Sequence, residues 1–323
     1  VKRLTEFIIL LSVVLCAWGT GFSQAATAQW IRVESENKEF SCVLPENFSV
    51  AFDKEGFSRA SQRNWSDKVD FKNVRSFGGY SDGISVFLEV YDVKNTKNGL
   101  AYITESINRA DISEMQFEAF TIRKVVSEND VKPISFYIAS KSHMYVVGYG
   151  ARDQNNPSIA RFLTSIRLNG KPIFETKVAP FLEVASPLSL SSVVETPIEV
   201  TEDLESKKDA KDSKQKASQP ASMPQNGKTG LPKDGSYSLS ILMKPRVPYT
   251  EAARKANEQG VIRLRVTFLA NGHIGKITVL KKLRFGLLED AIRSARRIKF
   301  IPEVRDNAAI DMEHVIEYRF SIY

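Results

Sequence analysis

Side chains able to ligate a transition metal or to act as a thiol nucleophile are scarce in this chain, which has three histidines and two cysteines in 323 residues. His143, His273 and His314 lie far apart in sequence, and none has a second metal-type ligand at helical or hairpin spacing. Cys16 falls in an N-terminal apolar run and Cys42 stands alone, so neither a disulfide framework nor a Cys/His zinc pattern can be drawn. Cys42, between Phe40 and Leu44, reads as a small buried side chain rather than a reactive thiol. His143, at the start of an alternating run, reads as a surface or hairpin residue. No catalytic constellation emerges, a metalloenzyme is a poor fit, no cofactor is implied, and the chemistry left to find is recognition.

Charge is the next signal. Lys plus Arg number 45 against 38 Asp plus Glu, a net charge of +7. Leu239 to Tyr323 alone holds sixteen basic and nine acidic residues, so the whole excess sits at the C-terminal end. A basic domain suits nucleic acid, an acidic envelope surface or an acidic peptide, or is simply a solvated surface kept for solubility. The first residues argue against nucleic acid. Val1-Lys2-Arg3, an apolar run from Phe7 to Trp18, and Ala26-Thr27-Ala28 have the three parts of a secretory signal. Glu6 and Gly19-Thr20-Gly21 bound that run below the ~20 residues of a membrane span. The expectation is an exported protein: periplasmic and soluble if residues 1–28 are removed, otherwise anchored in the inner membrane and facing the periplasm. A mean hydropathy of -0.23 and a single long apolar run exclude a polytopic membrane protein.

The length suggests two domains. Beyond the signal or anchor, residues 29–175 read as an α+β domain with an antiparallel sheet, 176–238 as a disordered linker, and 239–323 as a second small domain. The linker reading rests on Glu202-Asp203, the charged run Lys207 to Asp212 and the polar run Ser218 to Pro224. As flexible chain it would span roughly 45 Å, and about 195 Å drawn out. In the first domain, Phe40 to Leu44 reads as a strand closed by Pro45, and Ile84, Val86, Leu88 and Val90 alternate on one face. Ile134 to Ala139 and His143 to Tyr149 make a hairpin around Ser140-Lys141-Ser142, and Gly78-Gly79 reads as a turn. Helices fit Leu100 to Arg109 and Pro157 to Ile166, the second with Asn156 as N-cap. Phe40-Ser41-Cys42-Val43-Leu44-Pro45 near the start and Arg161 to Ile166 near the end resemble exported domains of the PsbP-like type.

The C-terminal segment is richer in pattern. Tyr249, Ala252, Ala253 and Ala256 form the stripe of a short helix that Thr250 can cap. Val261 to Ala270 and Ile274 to Leu280 alternate on either side of Asn271-Gly272, which predicts a two-residue type I′ hairpin. Pairing Ala270 with His273 sets Phe268 opposite Gly275, Val266 opposite Ile277 and Leu264 opposite Val279, all on one face. Leu288, Ala291, Ile292 and Ala295 predict a second helix with Arg293, Arg296 and Arg297 on its outer side. A last strand alternates through His314, Ile316, Tyr318, Phe320 and Ile322. The expected domain is two helices on a three-stranded antiparallel sheet.

This order of elements, with Pro248-Tyr249, Arg254, Gly260-Val261, Asn271-Gly272, Val279-Leu280, Leu288, Ala291, Phe300, Pro302 and Tyr318-x-Phe320, resembles the TonB C-terminal domain family over Pro245 to Tyr323. Thr250 stands where the family usually has proline. The resemblance implies a non-enzymatic binding function, in which an extended segment of an outer-membrane receptor is gripped by β-strand addition during energy-coupled transport. The candidate edge is the last strand: Val315, Ile316, Glu317, Tyr318, Arg319, Phe320, Ser321 and Ile322. Arg263, Arg265, Lys276 or Arg319 beside it would favour acidic peptides. The alternative for that strand is an internal or dimer-capped position. Family transducers also carry an N-terminal membrane helix with a histidine that couples to ExbB- and ExbD-like proteins, whereas no histidine precedes His143 here. The second functional reading is a soluble periplasmic adaptor that binds peptides without transducing energy.

Overall fold

The computed structural model describes residues 29–53, 71–93, 100, 110–127, 131–175, 177–181, 186–204 and 235–321. The expected signal or anchor, the helix expected after Leu100, the linker residues 205–234 and Ile322 lie outside these. Among the described residues no helix is long and apolar enough to cross a membrane.

The chain opens with β1 (Trp30–Glu34), β2 (Phe40–Pro45), β3 (Ser49–Asp53), β4 (Phe71–Ser81) and β5 (Ile84–Val93). It continues with β6 (Ala110–Phe117), β7 (Phe120–Ser127), β8 (Ile134–Ala139), β9 (His143–Ala151) and α1 (Pro157–Ser165). Three short strands follow: β10 (Arg167–Leu168), β11 (Lys171–Pro172) and β12 (Leu188–Ser189). Next come β13 (Val200–Glu202), β14 (Ser240–Met243), α2 (Glu251–Lys255), β15 (Gly260–Phe268) and β16 (Ile274–Lys281). The last elements are α3 (Leu287–Arg296), β17 (Lys299–Ile301), β18 (Glu303–Arg305), β19 (Ala308–Ile310) and β20 (Met312–Phe320). The expected class was α+β, and the described residues form mixed α and β structure in which sheet outweighs helix.

The first half places a seven-stranded antiparallel sheet, β3-β4-β5-β9-β8-β7-β6, against a five-stranded sheet, β11-β10-β2-β1-β12. Val86, Leu88 and Val90 of β5 point into the core between them, with Phe40, Tyr145 and Phe162. Burying these side chains together is the main favourable term for this half. Asn156 caps α1 by accepting from Ser158 N–H at 2.8 Å, and the β8–β9 hairpin forms where alternation put it. The glycine reading was wrong at one place. Gly78 and Gly79 lie inside β4, and the turn is Asp82-Gly83, with φ of 51° and 77°, the pair of positive values a type I′ turn requires.

The other face of β5 is buried as well, because the second half of the chain covers it. Glu89 is 1% exposed, Arg297 4% and Lys299 7%, so these charges are out of water and must satisfy one another. Arg297 donates through Nη2 and Nε to Glu89 Oε1 at 3.1 and 3.3 Å. Ser76 Oγ donates to the same oxygen at 3.2 Å, and the Tyr91 hydroxyl donates to the other. Lys299 Nζ donates to Ser76 Oγ at 2.8 Å and to the Phe77 carbonyl at 2.9 Å. Tyr80 N–H donates to the Asn271 carbonyl at 2.8 Å, so the β15–β16 turn rests on β4. Arg297, expected on the outer side of the second helix, thus faces the first domain. The buried face of α3 is Leu287, Asp290, Ala291, Ser294 and Ala295, with Leu288 and Ile292 only partly covered.

The stretch expected to be a disordered linker is ordered in its first part. β12 pairs parallel with β1, Val50 N–H donates to Thr196 Oγ1 at 2.8 Å, and β13 pairs parallel with β16. Residues 186–204 therefore form a strap bonded to both halves, and the C-terminal sheet has four strands rather than three, in the order β13-β16-β15-β20.

Candidate functional site: the outer strand of the C-terminal sheet

Ile262, Leu264, Val266 and Phe268 of β15 point into one core with Ile277, Val279, Ala291, Ile316, Tyr318 and Phe320. The register places Val266 opposite Ile277 and Leu264 opposite Val279, as alternation predicts, but Phe268 opposite Ile274 rather than Gly275. An irregularity between those pairs absorbs the difference. The turn is also not type I′. Leu269 N–H donates to His273 O at 2.9 Å and Gly272 N–H to Leu269 O at 3.0 Å, and Gly272 has a φ of 84° while Asn271 does not enter the left-handed region. That is a three-residue loop ending in a left-handed glycine.

β20 pairs with β15 over nine residues, from Gly260 with Phe320 to Phe268 with Met312, and ends the sheet among the described residues. Because Leu269 bonds toward β16, the even positions of β15 bond toward β20. The even positions of β20 then bond inward, and the backbone groups of Glu313, Val315, Glu317 and Arg319 face out. Lys244 fits this pattern: its Nζ donates to the Glu317 carbonyl at 2.8 Å and sits 4.8 Å from the centre of the Tyr318 ring. Burial pulls the Lys244 ammonium below its ordinary value, partly offset by Glu317. Val315 is exposed, Arg319 is exposed, and Ile316, Tyr318 and Phe320 are buried. Burial also pushes the Tyr318 phenol up. Ser321 is the last described residue and follows the strand.

The remaining residues of the family pattern build the wall behind this strand. The Tyr249 ring lies 5.9 Å from that of Phe320, and its hydroxyl donates to the Glu258 carbonyl at 2.5 Å. Arg254 lies over the Tyr249 ring at 5.7 Å and donates to Glu251 at 2.6 Å. Thr250 caps α2 by accepting from Ala253 N–H at 3.1 Å while its own hydroxyl donates to Phe285 O at 2.7 Å. Gly260 opens β15 with a φ of 143°, Pro248 precedes α2, and Pro302 is buried between β17 and β18. Sequence reasoning missed Lys244, and it read the basic side chains near β20 as open to a ligand. Instead Arg263 donates to Glu317 at 2.8 Å, Lys276 meets Glu199 at 2.9 Å, and Arg265 lies 4.0 Å from Asp203.

Among the described residues of the first half, Cys42 and His143 are the candidates for chemistry, and neither forms a chemical centre. Burial pushes the Cys42 thiol up to about 12, which keeps it protonated. His143 lies 3.6 Å from both Glu39 and Asp92, beside a cavity of about 560 Å³ lined also by Arg75, Phe52 and Leu190. Burial raises the Glu39 carboxyl, but hydrogen bonds from His143, Ser140 and Tyr145 outweigh this and hold it at about 2. Among the described residues no group of three or more His, Cys, Asp or Glu side chains is placed to hold a metal.

Residues 245–322 match the family model described as Gram-negative bacterial TonB protein C-terminal. No curated protein matches the chain. The C-terminal segment is therefore a domain of the TonB C-terminal family, as its motif residues implied, and the match leaves the first half unassigned.

Proposed function

We propose that the protein is a non-enzymatic component of the bacterial envelope whose C-terminal domain binds an extended segment of an outer-membrane receptor by adding it as a strand to β20. The carrying observation is that β20 ends its sheet while the opposite edge is filled by β13, so the outward backbone groups of Val315, Glu317 and Arg319 form the open ladder. The domain family supplies the partner class. Lys244 occupies the Glu317 carbonyl in the unbound chain and would have to swing away as a strand arrives.

The direct test is binding of fluorescent peptides from the extended N-terminal segments of outer-membrane receptors to the full-length protein. Val315→Pro removes an outward N–H and no bond to β15, so it should weaken binding about tenfold or more with little change in melting temperature. Glu317→Ala should weaken it only slightly, because backbone pairing is largely indifferent to side chains. Equal binding by wild type and Val315→Pro would remove β20 as the site.

A periplasmic adaptor without energy transduction is the second reading, favoured by the close docking of the first domain through Glu89 and Arg297, which makes a two-domain body rather than a tethered head. Coupling to ExbB- and ExbD-like proteins needs a retained membrane helix. N-terminal mass spectrometry of the exported protein, reading whether residues 1–28 remain, separates the two.

A further inference from the structure

The opposite edge of the C-terminal sheet already holds an extended segment of a distinct chemical type. β13 lies parallel to β16, with Val200, Thr201 and Glu202 beside Ile277, Thr278 and Val279. Ile277 N–H donates to Glu199 O at 2.9 Å, Asp203 N–H donates to Val279 O at 2.9 Å, and the Thr201 and Thr278 hydroxyls meet at 3.0 Å. Each acidic residue of this segment meets a cation of the domain: Glu199 with Lys276 at 2.9 Å, Glu202 with Lys282 at 2.8 Å, and Asp203 near Arg265 at 4.0 Å. A backbone ladder for affinity and matched charges for selection are the two parts of an extended-peptide site.

The hold on this segment is slight. Its strand has three residues, against nine pairs between β15 and β20. The ion pairs are exposed on both sides, where such contacts contribute little. Val200 is 38% exposed, and Ile198 is only partly buried against the core. We infer that the β16 edge is a second strand-binding site, selective for an acidic extended segment, and that residues 199–203 are its resident and exchangeable occupant. Charge sorts the two edges. The outward positions of β20 are Glu313, Val315, Glu317 and Arg319, one cation against two carboxylates, whereas Lys276 of β16 and Lys282 just after it line the β16 edge with no acidic residue of that strand, and Arg265 of β15 lies behind them. An acidic peptide belongs on β16, and this inference stands whether or not β20 binds a receptor.

The test uses the full chain and a labelled synthetic peptide with the sequence of residues 197–204, Pro-Ile-Glu-Val-Thr-Glu-Asp-Leu. In the triple variant Glu199→Lys, Glu202→Lys, Asp203→Lys, the resident segment is repelled and the edge is vacated. The peptide should then bind about tenfold more tightly than to wild type, and added salt should weaken it. Its amide shifts should fall on Ile277 to Val279 and spare Val315 to Arg319, which separates this site from β20. A measurement on wild type guards against a misfolded variant: the Ile277 amide should exchange with solvent about tenfold faster than those at the centre of β15, because the strap opens on its own. Peptide affinity no higher for the triple variant than for wild type, or an Ile277 amide as slow as its β15 neighbours, would make the strap a permanent strand and overturn the inference.

Discussion

Glu89 sits between Leu88 and Val90, a position that in sequence reads as the solvent side of an alternating strand, and Arg297 follows two arginines on a helix that reads as basic outside. Neither residue announces the other, because 208 positions separate them and no local period connects them. Their pairing leaves a clear expectation. Glu89→Gln would strand two buried cations without a counter-charge, and full-length protein should lose roughly 3 to 5 kcal/mol of unfolding free energy in urea titration. The pH dependence has two limbs. Burial pushes the Glu89 carboxyl up, but Arg297 and Lys299 outweigh it and hold the group below its ordinary 4.5. A depressed carboxyl gives stability that is present above the unfolded value and lost as pH falls below it, so unfolding free energy should drop below pH 4.5, and less steeply in Glu89→Gln. Lys299 works the other way. Burial lowers it to about 8, since its single carboxylate is shared with Arg297, and folding is penalised while the group must be charged. That penalty is full below about 8 and is relieved between about 8 and 10.5, so stability should rise with pH until the buried tyrosines reverse it above about 10.

At the scale of elements, alternation was a good guide wherever a strand has one face in a core and its partner lies close in sequence. β15, β16, the β8–β9 hairpin and α1 are legible for that reason, and the two central pairs of the β15–β16 register follow from the apolar residues alone. The turn was not legible, since Asn271-Gly272 is compatible with both a two-residue and a three-residue loop, and the contact it makes with Tyr80 of β4 is remote in sequence. β13 was not legible either. Glu199-Val200-Thr201-Glu202-Asp203 has the composition of a linker, and what makes it a strand is remote in sequence: the open backbone edge of β16, with the cations of β15, β16 and the loop after β16 beside it. The turn supplies a sharp prediction. A side chain at Gly272 would place its first carbon 2.7 Å from Tyr80 N and 2.9 Å from the Gly79 carbonyl carbon, on a residue that already needs positive φ. Gly272→Val should therefore destabilise by roughly 1 to 3 kcal/mol from backbone strain alone, with a further loss from undocking. Urea titration should show the first, and faster exchange of the Tyr80 amide the second. Unchanged Tyr80 exchange would mean the turn does not carry the docking.

At the scale of the whole molecule, the sequence reads as two domains on a long tether, and the structure joins them into one body at several places among the described residues. The buried cluster of Glu89, Arg297 and Lys299 is one, the Asn271 to Tyr80 contact is another, the strap through Glu195, Thr196 and Glu199 is a third, and the apolar cluster of Val131, Leu242 and Ile301, beside which Arg152 donates to the Ser238 carbonyl, is a fourth. These differ in how they respond to salt. The Glu199–Lys276 pair of the strap is exposed and the Glu195–Arg296 pair half-buried, so both are screened within about 8 Å at physiological ionic strength, the second less than the first, whereas charges only a few per cent exposed are hardly screened at all. A specific protease site introduced between residues 205 and 234 allows the connection to be cut without touching any described contact. After cutting, the two pieces should elute together from a sizing column, and should still do so in about 1 M salt, where surface pairs contribute little. Arg297→Ala in the same protein should release them, because Glu89 is then buried against one cation instead of two, and the arginine fork that crosses the boundary is gone. Two separate peaks from the cut wild-type protein would show that the docking depends on the high local concentration the covalent connection imposes. In that case the first domain would be a tethered neighbour of the peptide-binding domain, and the Glu89 cluster would set its resting position only.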